Sequence, residues 1–142
     1  MSTPGMPRLP FFVYGTLRPG EHNHTWALAG RTVREEPATV RGLVLYEGPG
    51  YPYAVAGDGV VTGTLVEPDP GRYGEILHVL DELEDCVPGG TANVYERVTA
   101  EAERVGGGTE RVWLYVAAPP LARRLCEEGT PIVSGDWLSR AR

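Results

Sequence analysis

Short apolar runs punctuated by glycine and proline fill most of this chain, and one stretch carries a longer rhythm. Residues 9–14 are aromatic and β-branched, which predicts a strand stopping at Gly15, with Pro19-Gly20 closing the turn. Residues 40–46, 51–55 and 60–66 read as further strands, while residues 33–38 are ambiguous. Asp58-Gly59 between two apolar runs is a hairpin signal. Residues 95–105 and 110–116 are predicted strands joined at Gly106-Gly107-Gly108. Residues 21–29 are a short helix candidate with Trp26 and Leu28 turned inward, and residues 121–128 are another, closed by Gly129.

Residues 72–85 repeat at helical spacing, with Pro70 before the start and Pro88 beyond the end. At about 100° per residue, Tyr73, Ile76, Leu77, Leu80 and Leu83 share one face, and Glu75, His78 and Glu82 the other. Glu84 breaks this order. It stands four residues after Leu80 and seven after Leu77, so it is aimed into the apolar stripe. It also falls near the helix C-terminus, where the macrodipole disfavours negative charge. Burial of such a carboxylate raises its pKa and makes it a better base. A helix that frays at Leu83 would instead leave Glu84 in water.

These elements predict an α+β fold: a small mixed β-barrel of about six to seven short strands with two or three flanking helices. With 142 residues the chain suits a single domain, residues 1–142, with residues 1–8 as a loose N-terminal tail. Composition then narrows the chemistry. The surplus of glycine and proline, 19 and 13 residues, reads as turn chemistry rather than disorder. All 13 basic residues are arginine, which excludes Schiff-base and pyridoxal-phosphate sites and a Walker phosphate loop. The net charge of −6 disfavours nucleic acid and anionic membrane surfaces as partners. No uncharged stretch approaches the roughly 18 apolar residues of a membrane helix, and the N-terminus does not read as a signal peptide. Cys86 and Cys126 form no C-x-x-C motif, so two free thiols and a cytoplasmic location are expected.

Candidate chemistry is sparse. The serines are Ser2, Ser134 and Ser139, none within G-x-S-x-G. His22 and His24 have metal-like spacing but no third ligand cluster nearby, so no metal site is assigned. Gly106-Gly107-Gly108 precedes no helix and reads as a hairpin tip rather than an anion cradle. Tyr14-Gly15-Thr16-Leu17-Arg18 ends a strand in Gly-Thr, where successive N–H groups can converge on an anion or carbonyl. A lone Gly-Thr by itself strongly favours an ordinary strand end.

This loop resembles the hallmark loop of the gamma-glutamylcyclotransferase-like family. Further matches follow in order: Gly42-Leu43-Val44-Leu45-Tyr46, Tyr51-Pro52 with Gly63-Thr64-Leu65, Leu80-Asp81-Glu82-Leu83-Glu84, and Tyr95-Glu96-Arg97-Val98. Tyr115 and Gly135-Asp136-Trp137 fit the later strand and tail. The resemblance implies a small mixed barrel that converts a gamma-glutamyl amide into 5-oxoproline and a free amine, with Glu84 as catalytic acid/base. It also implies that Tyr14, Gly15, Thr16, Leu17 and Arg18 bind the glutamyl moiety, with Tyr95 and Tyr115 lining the pocket. Arg18 could alternatively pair with a helix-end carboxylate, and either tyrosine could be core. The partner implied is a small gamma-glutamyl substrate, with no cofactor.

The chain departs from the resemblance at Asp85, where many members have glycine, and in the segment between Glu84 and Tyr95 that contains Pro88-Gly89-Gly90. That insert would shape the leaving-group pocket. Two other classes compete: a non-catalytic small-ligand-binding module on the same barrel, and a structural or regulatory partner protein with an exposed apolar patch.

Overall fold

The computed structural model describes residues 9–15, 17–18, 21, 28, 30–48, 52–83 and 95–139. Five strands form a closed barrel in the order β1-β3-β2-β4-β5: β1 is Phe11–Val13, β2 Thr32–Tyr46, β3 Tyr53–Pro68, β4 Tyr95–Arg104 and β5 Thr109–Ala117. Every pairing is antiparallel except β1 with β5, where Phe11 is in parallel register with Trp113. The mixed α+β barrel is as expected, but among the described residues the strands number five rather than six or seven. The reason lies in β2 and β3, which are long single strands where sequence pattern suggests pairs of short ones.

Residues 33–38, ambiguous in pattern, are the first part of β2. Up to Pro37 that part is in register with β3 alone, and β4 joins from Ala38 to Val40. Pro37, with no N–H to donate, sits just outside the β4 ladder, where its carbonyl accepts from Val105 N–H at 3.1 Å. The hairpin expected at Asp58-Gly59 does not form. Both flanking runs pair with β2: Arg41 faces Val60 and Leu43 faces Ala56, so Gly42 alone stands opposite Gly57, Asp58 and Gly59. The extra residues arch out as a bulge instead of reversing the chain. Gly42 takes φ +85° there, a conformation in which a side chain would be strained.

Alternation along the strands sorts side chains into two layers. Phe12, Leu65, Val112 and Leu114 point into the barrel, with Val40, Leu45 and Val61. Phe11, Val13, Val66, Tyr95 and Tyr115 point outward beneath the helix α1, Tyr73–Leu83. Tyr73, Ile76 and Leu80 of α1 bury against them, as the periodicity requires. His78 and Glu82 stay exposed on the opposite face, 3.0 Å apart. A one-turn 3-10 helix, Pro70–Arg72, leads into α1, and the Asp69 carboxylate accepts from the Gly71 N–H at 3.0 Å. The predicted end of this helix, residues 84–85, lies outside the described residues.

Helix α2, Pro119–Glu128, begins two residues earlier than the apolar pattern indicates. Its first two residues are prolines, whose fixed φ suits a first turn that needs no N–H donors. Leu125 packs it onto Val55 and Ala117, with Tyr46 and Tyr53 at the edge. Cys126 on this helix is a free, exposed thiol, and Cys86 lies outside the described residues. Of the helix candidate at residues 21–29, the described part includes the fully buried Leu28, whose carbonyl accepts from Arg31 N–H. The chain after α2 returns across the barrel: Ile132 N–H donates to the Leu45 carbonyl, and Thr62 N–H to that of Gly135. No helix among the described residues is long and apolar enough to cross a membrane.

Candidate active site

Strand direction brings scattered sequence motifs to one end of the barrel. There β1 ends at Val13, β2 ends at Tyr46, β3 begins at Tyr53, β4 begins at Tyr95 and β5 ends at Ala117. The last turn of α1 reaches the same end, because Asp81 contacts Tyr115.

Tyr14 follows β1 directly. Its ring is buried in the barrel core and its hydroxyl donates to the Tyr115 carbonyl at 2.6 Å. A buried phenol needs such a partner, and this one ties the end of β1 to β5. Gly15 comes next and packs flat against Pro52: a Cβ on Gly15 would stand 2.9 Å from the proline Cδ. The chain then turns, with Arg18 N–H donating to the Gly15 carbonyl at 3.1 Å. Leu17 is buried in the layer beneath α1. Thr16 lies outside the described residues.

Arg18 reaches across to the C-terminal segment, where its Nη1 donates to Asp136 Oδ1 at 2.7 Å. The same oxygen accepts from Leu138 N–H at 3.1 Å, at the head of the 3-10 turn Trp137–Ser139. Arg18 therefore pairs with a helix-end carboxylate, and that carboxylate is supplied by the Gly135-Asp136-Trp137 tail.

Tyr95 donates its hydroxyl to the Pro52 carbonyl at 2.8 Å, and its ring lies 5.5 Å from that of Tyr53. Pro52 is thus held between Gly15 and Tyr95. Tyr115 stacks on Phe11, with ring centroids 6.4 Å apart, and donates to Asp81 Oδ1 at 2.5 Å. Arg97 stands directly opposite Tyr115 across the β4–β5 ladder, so both side chains leave the same face. Its Nε lies 3.3 Å from Asp81 Oδ1, and its guanidinium covers the Trp113 ring at 4.9 Å. The Arg97 and Asp81 side chains are only 6% and 14% exposed, which makes this a buried ion pair.

Tyr14, Gly15, Arg18, Tyr95 and Tyr115 therefore meet at one end of the barrel, with Leu17 in the layer beside them. Glu84, the candidate base, lies outside the described residues; the helix that leads to it is described through Leu83. Pattern reading assigned no role to Asp81, Arg97 or Pro52. The signal for Asp81 was its place at the margin of the apolar stripe, next to Leu80 and four residues after Leu77. For Arg97 it was the two-residue step from Tyr95, which puts both on one strand face. Among the described residues no three histidine, cysteine, aspartate or glutamate side chains gather as metal ligands.

A small closed mixed barrel with these motifs at one rim defines a family. Residues 11–139 match the family described as gamma-glutamyl cyclotransferase, AIG2-like, and the chain belongs to it. It is 37% identical over 112 residues to the gamma-L-glutamyl-butirosin B gamma-glutamyl cyclotransferase of Niallia circulans, spanning 78% of this chain and 67% of that protein. Among solved structures it is similar to ytfP from Escherichia coli, at 29% identity and a TM-score of 0.57, over 92% of this chain and 97% of that one. It is also similar to YkqA from Bacillus subtilis, at 28% identity and a TM-score of 0.63, over 91% of this chain and 39% of that one. The chain thus spans well under half the length of YkqA.

Proposed function

We propose that this protein cyclises a gamma-glutamyl amide to 5-oxoproline and releases the free amine, without a cofactor. The observation that carries the reading is the convergence of Tyr14-Gly15, Pro52, Tyr95 and Tyr115 with the last turn of α1 at one barrel rim, in a chain of the cyclotransferase family.

The reaction asks little of the protein beyond placement. Nucleophile and electrophile already share one molecule, so holding the chain in a folded pose supplies much of the acceleration. The substrate's α-ammonium must first lose a proton, which Glu84 takes. The amine nitrogen then attacks the γ-carbonyl carbon and closes a five-membered ring. As the tetrahedral intermediate collapses, the bond to the leaving nitrogen breaks and Glu84 returns the first proton to that nitrogen; the second proton, shed by the ring nitrogen, follows it, which leaves a neutral lactam and the amine as its ammonium. Atoms balance with no water, metal or enzyme-bound acyl group.

The segment of residues 14–18 binds the glutamyl part in this reading. Tyr14 and Arg18 act through the loop, since one hydroxyl and one guanidinium nitrogen are engaged by Tyr115 and Asp136. Tyr95 and Tyr115 wall the pocket. A free thiol at Cys126 suits the cytoplasm in which we place this reaction.

The test is 5-oxoproline release from a panel of gamma-glutamyl amines: a gamma-glutamyl amino acid, gamma-glutamyl-lysine and gamma-L-glutamyl-butirosin B. The last is included because the Niallia circulans relative carries gamma-L-glutamyl-butirosin B in its name. Release that is insensitive to chelators supports the reading. Ligand-induced thermal stabilisation with no product from any amide would instead favour a binding module.

A further inference from the structure

We propose that Asp81 is a positioning residue for Glu84, acting with Tyr115 and Arg97 as a three-residue anchor for the last turn of α1. The inference rests on the cyclotransferase reading above, because it assigns the anchor a role in that reaction.

The starting point is a carboxylate where helix physics does not want one. Asp81 lies in the final turn of α1, whose last described residue is Leu83, and the macrodipole is unfavourable to negative charge there. Its side chain is also mostly withdrawn from water. Both penalties are offset by contacts from one patch of the barrel. Tyr115 on β5 donates its hydroxyl to Asp81 Oδ1 at 2.5 Å, and Arg97 on β4 brings its Nε within 3.3 Å of the same oxygen.

Stability alone would not select this arrangement. A buried ion pair is often no better than well-packed apolar side chains of similar volume, and what it adds is a defined geometry. Here the geometry is well determined from the barrel side. Arg97 and Tyr115 are direct cross-strand partners, so their spacing is set by the ladder. Arg97 is further held against Trp113, and the Tyr115 ring against Phe11. Asp81 is thus gripped by two side chains that are themselves supported.

Apolar contacts of Ile76 and Leu80 hold α1 down but leave rotation and sliding of its end less determined. The Tyr115 hydrogen bond from β5 and the Arg97 ion pair from β4 together remove that freedom. Glu84 follows Asp81 by three residues in the chain, directly after Leu83, the last described residue of α1. Fixing Asp81 therefore fixes where the Glu84 segment departs. Proton transfer depends on hydrogen-bond reach, and a misplacement of about 1 Å can cost roughly 100-fold in rate.

Three variants test this: Asp81→Asn, Tyr115→Phe and the double variant. Each is assayed for 5-oxoproline release well below its melting temperature, with hydrogen exchange followed over α1. Asp81→Asn is expected to lower kcat by about 100-fold with KM within about twofold, and to speed amide exchange in the last turn of α1. Tyr115→Phe keeps both charges, so it serves even if Asp81→Asn fails to fold; a kcat loss of about tenfold is expected. The double variant should be no worse than Asp81→Asn, because Tyr115 acts through Asp81. A folded Asp81→Asn protein with wild-type kcat overturns the proposal. So does a fully multiplicative double variant, which would mean that Tyr115 acts on substrate independently. If the wild-type protein releases no 5-oxoproline from any amide, the reaction reading falls with the role assigned here. Unchanged exchange in Asp81→Asn would sink the anchor itself.

Discussion

The two ends of the barrel both carry arginine–carboxylate chemistry, and they use it differently. At the end away from the candidate site, Arg34 on β2 faces three carboxylates: Glu67 and Glu36 at 2.9 Å and Glu110 at 2.8 Å. These side chains are 27–40% exposed, and Arg104 joins the cluster through Glu110 at 3.4 Å. At the site end, Arg97 faces Asp81 almost dry and covers Trp113. The exposed cluster has more partners, yet each works against solvent screening and lost side-chain entropy. The buried pair has little water around it, and removing either side leaves a poorly compensated charge. Number of ion pairs is therefore a poor guide to which end matters; burial decides.

The largest expected effect separates function from fold. Glu84→Gln should reduce 5-oxoproline release by about 10²–10⁴-fold, the usual worth of a general base, while thermal melting stays where it was. Normal turnover by that variant would remove Glu84 as the base. Next comes stability at the same end. Arg97→Met strands the Asp81 carboxylate and is expected to cost about 3–5 kcal/mol, read from urea unfolding. The matched change at the far end, Arg34→Met, should cost about 0–1 kcal/mol. Equal losses from the two would break the comparison.

Gly15→Ala tests the close approach to Pro52. A methyl 2.9 Å from a rigid ring forces the loop or the proline to shift, with an expected loss of about 1–3 kcal/mol and weaker substrate binding. The smallest effect is a pH dependence at the far end. The hydrogen bond from Arg34 holds Glu110 below the ordinary carboxylate range. A carboxyl lowered by folding stabilises the protein above its unfolded value, about 4.3, and that contribution fades as pH falls through the folded value. Glu110→Gln should therefore lower the urea midpoint slightly near neutrality and make no difference once the pH is well below the carboxylate range. A gap that widens in acid would contradict this sign.

Much of the candidate site was legible in the chain, because its parts are short motifs with local signatures. Tyr14-Gly15 announces a strand end, and the Tyr73, Ile76, Leu80 stripe announces a helix with a buried face. What could not be read was pairing across distance. Tyr14 and Tyr115 are joined by a 2.6 Å hydrogen bond across 101 residues of sequence, and Arg18 and Asp136 by one across 118. The strand count failed for a similar reason. Asp58-Gly59 carries the local chemistry of a hairpin, and only the shared partner β2 turns it into a bulge opposite Gly42.

By itself, the sequence determined the class of the fold, the helix that precedes the candidate base, and the family. These depend on periodicity and turn chemistry, which act within a few residues of one another. Tertiary structure alone decided that β2 and β3 run unbroken, that Pro52 lies between Gly15 and Tyr95, and that Asp81 is held from β4 and β5 at once. Closure of the barrel sets those contacts, since it brings strand ends from distant parts of the chain to a common rim. Asp81 shows the division most plainly. Its place beside Leu80 is written in the chain, but its partners exist only where the β4–β5 ladder sets Arg97 opposite Tyr115.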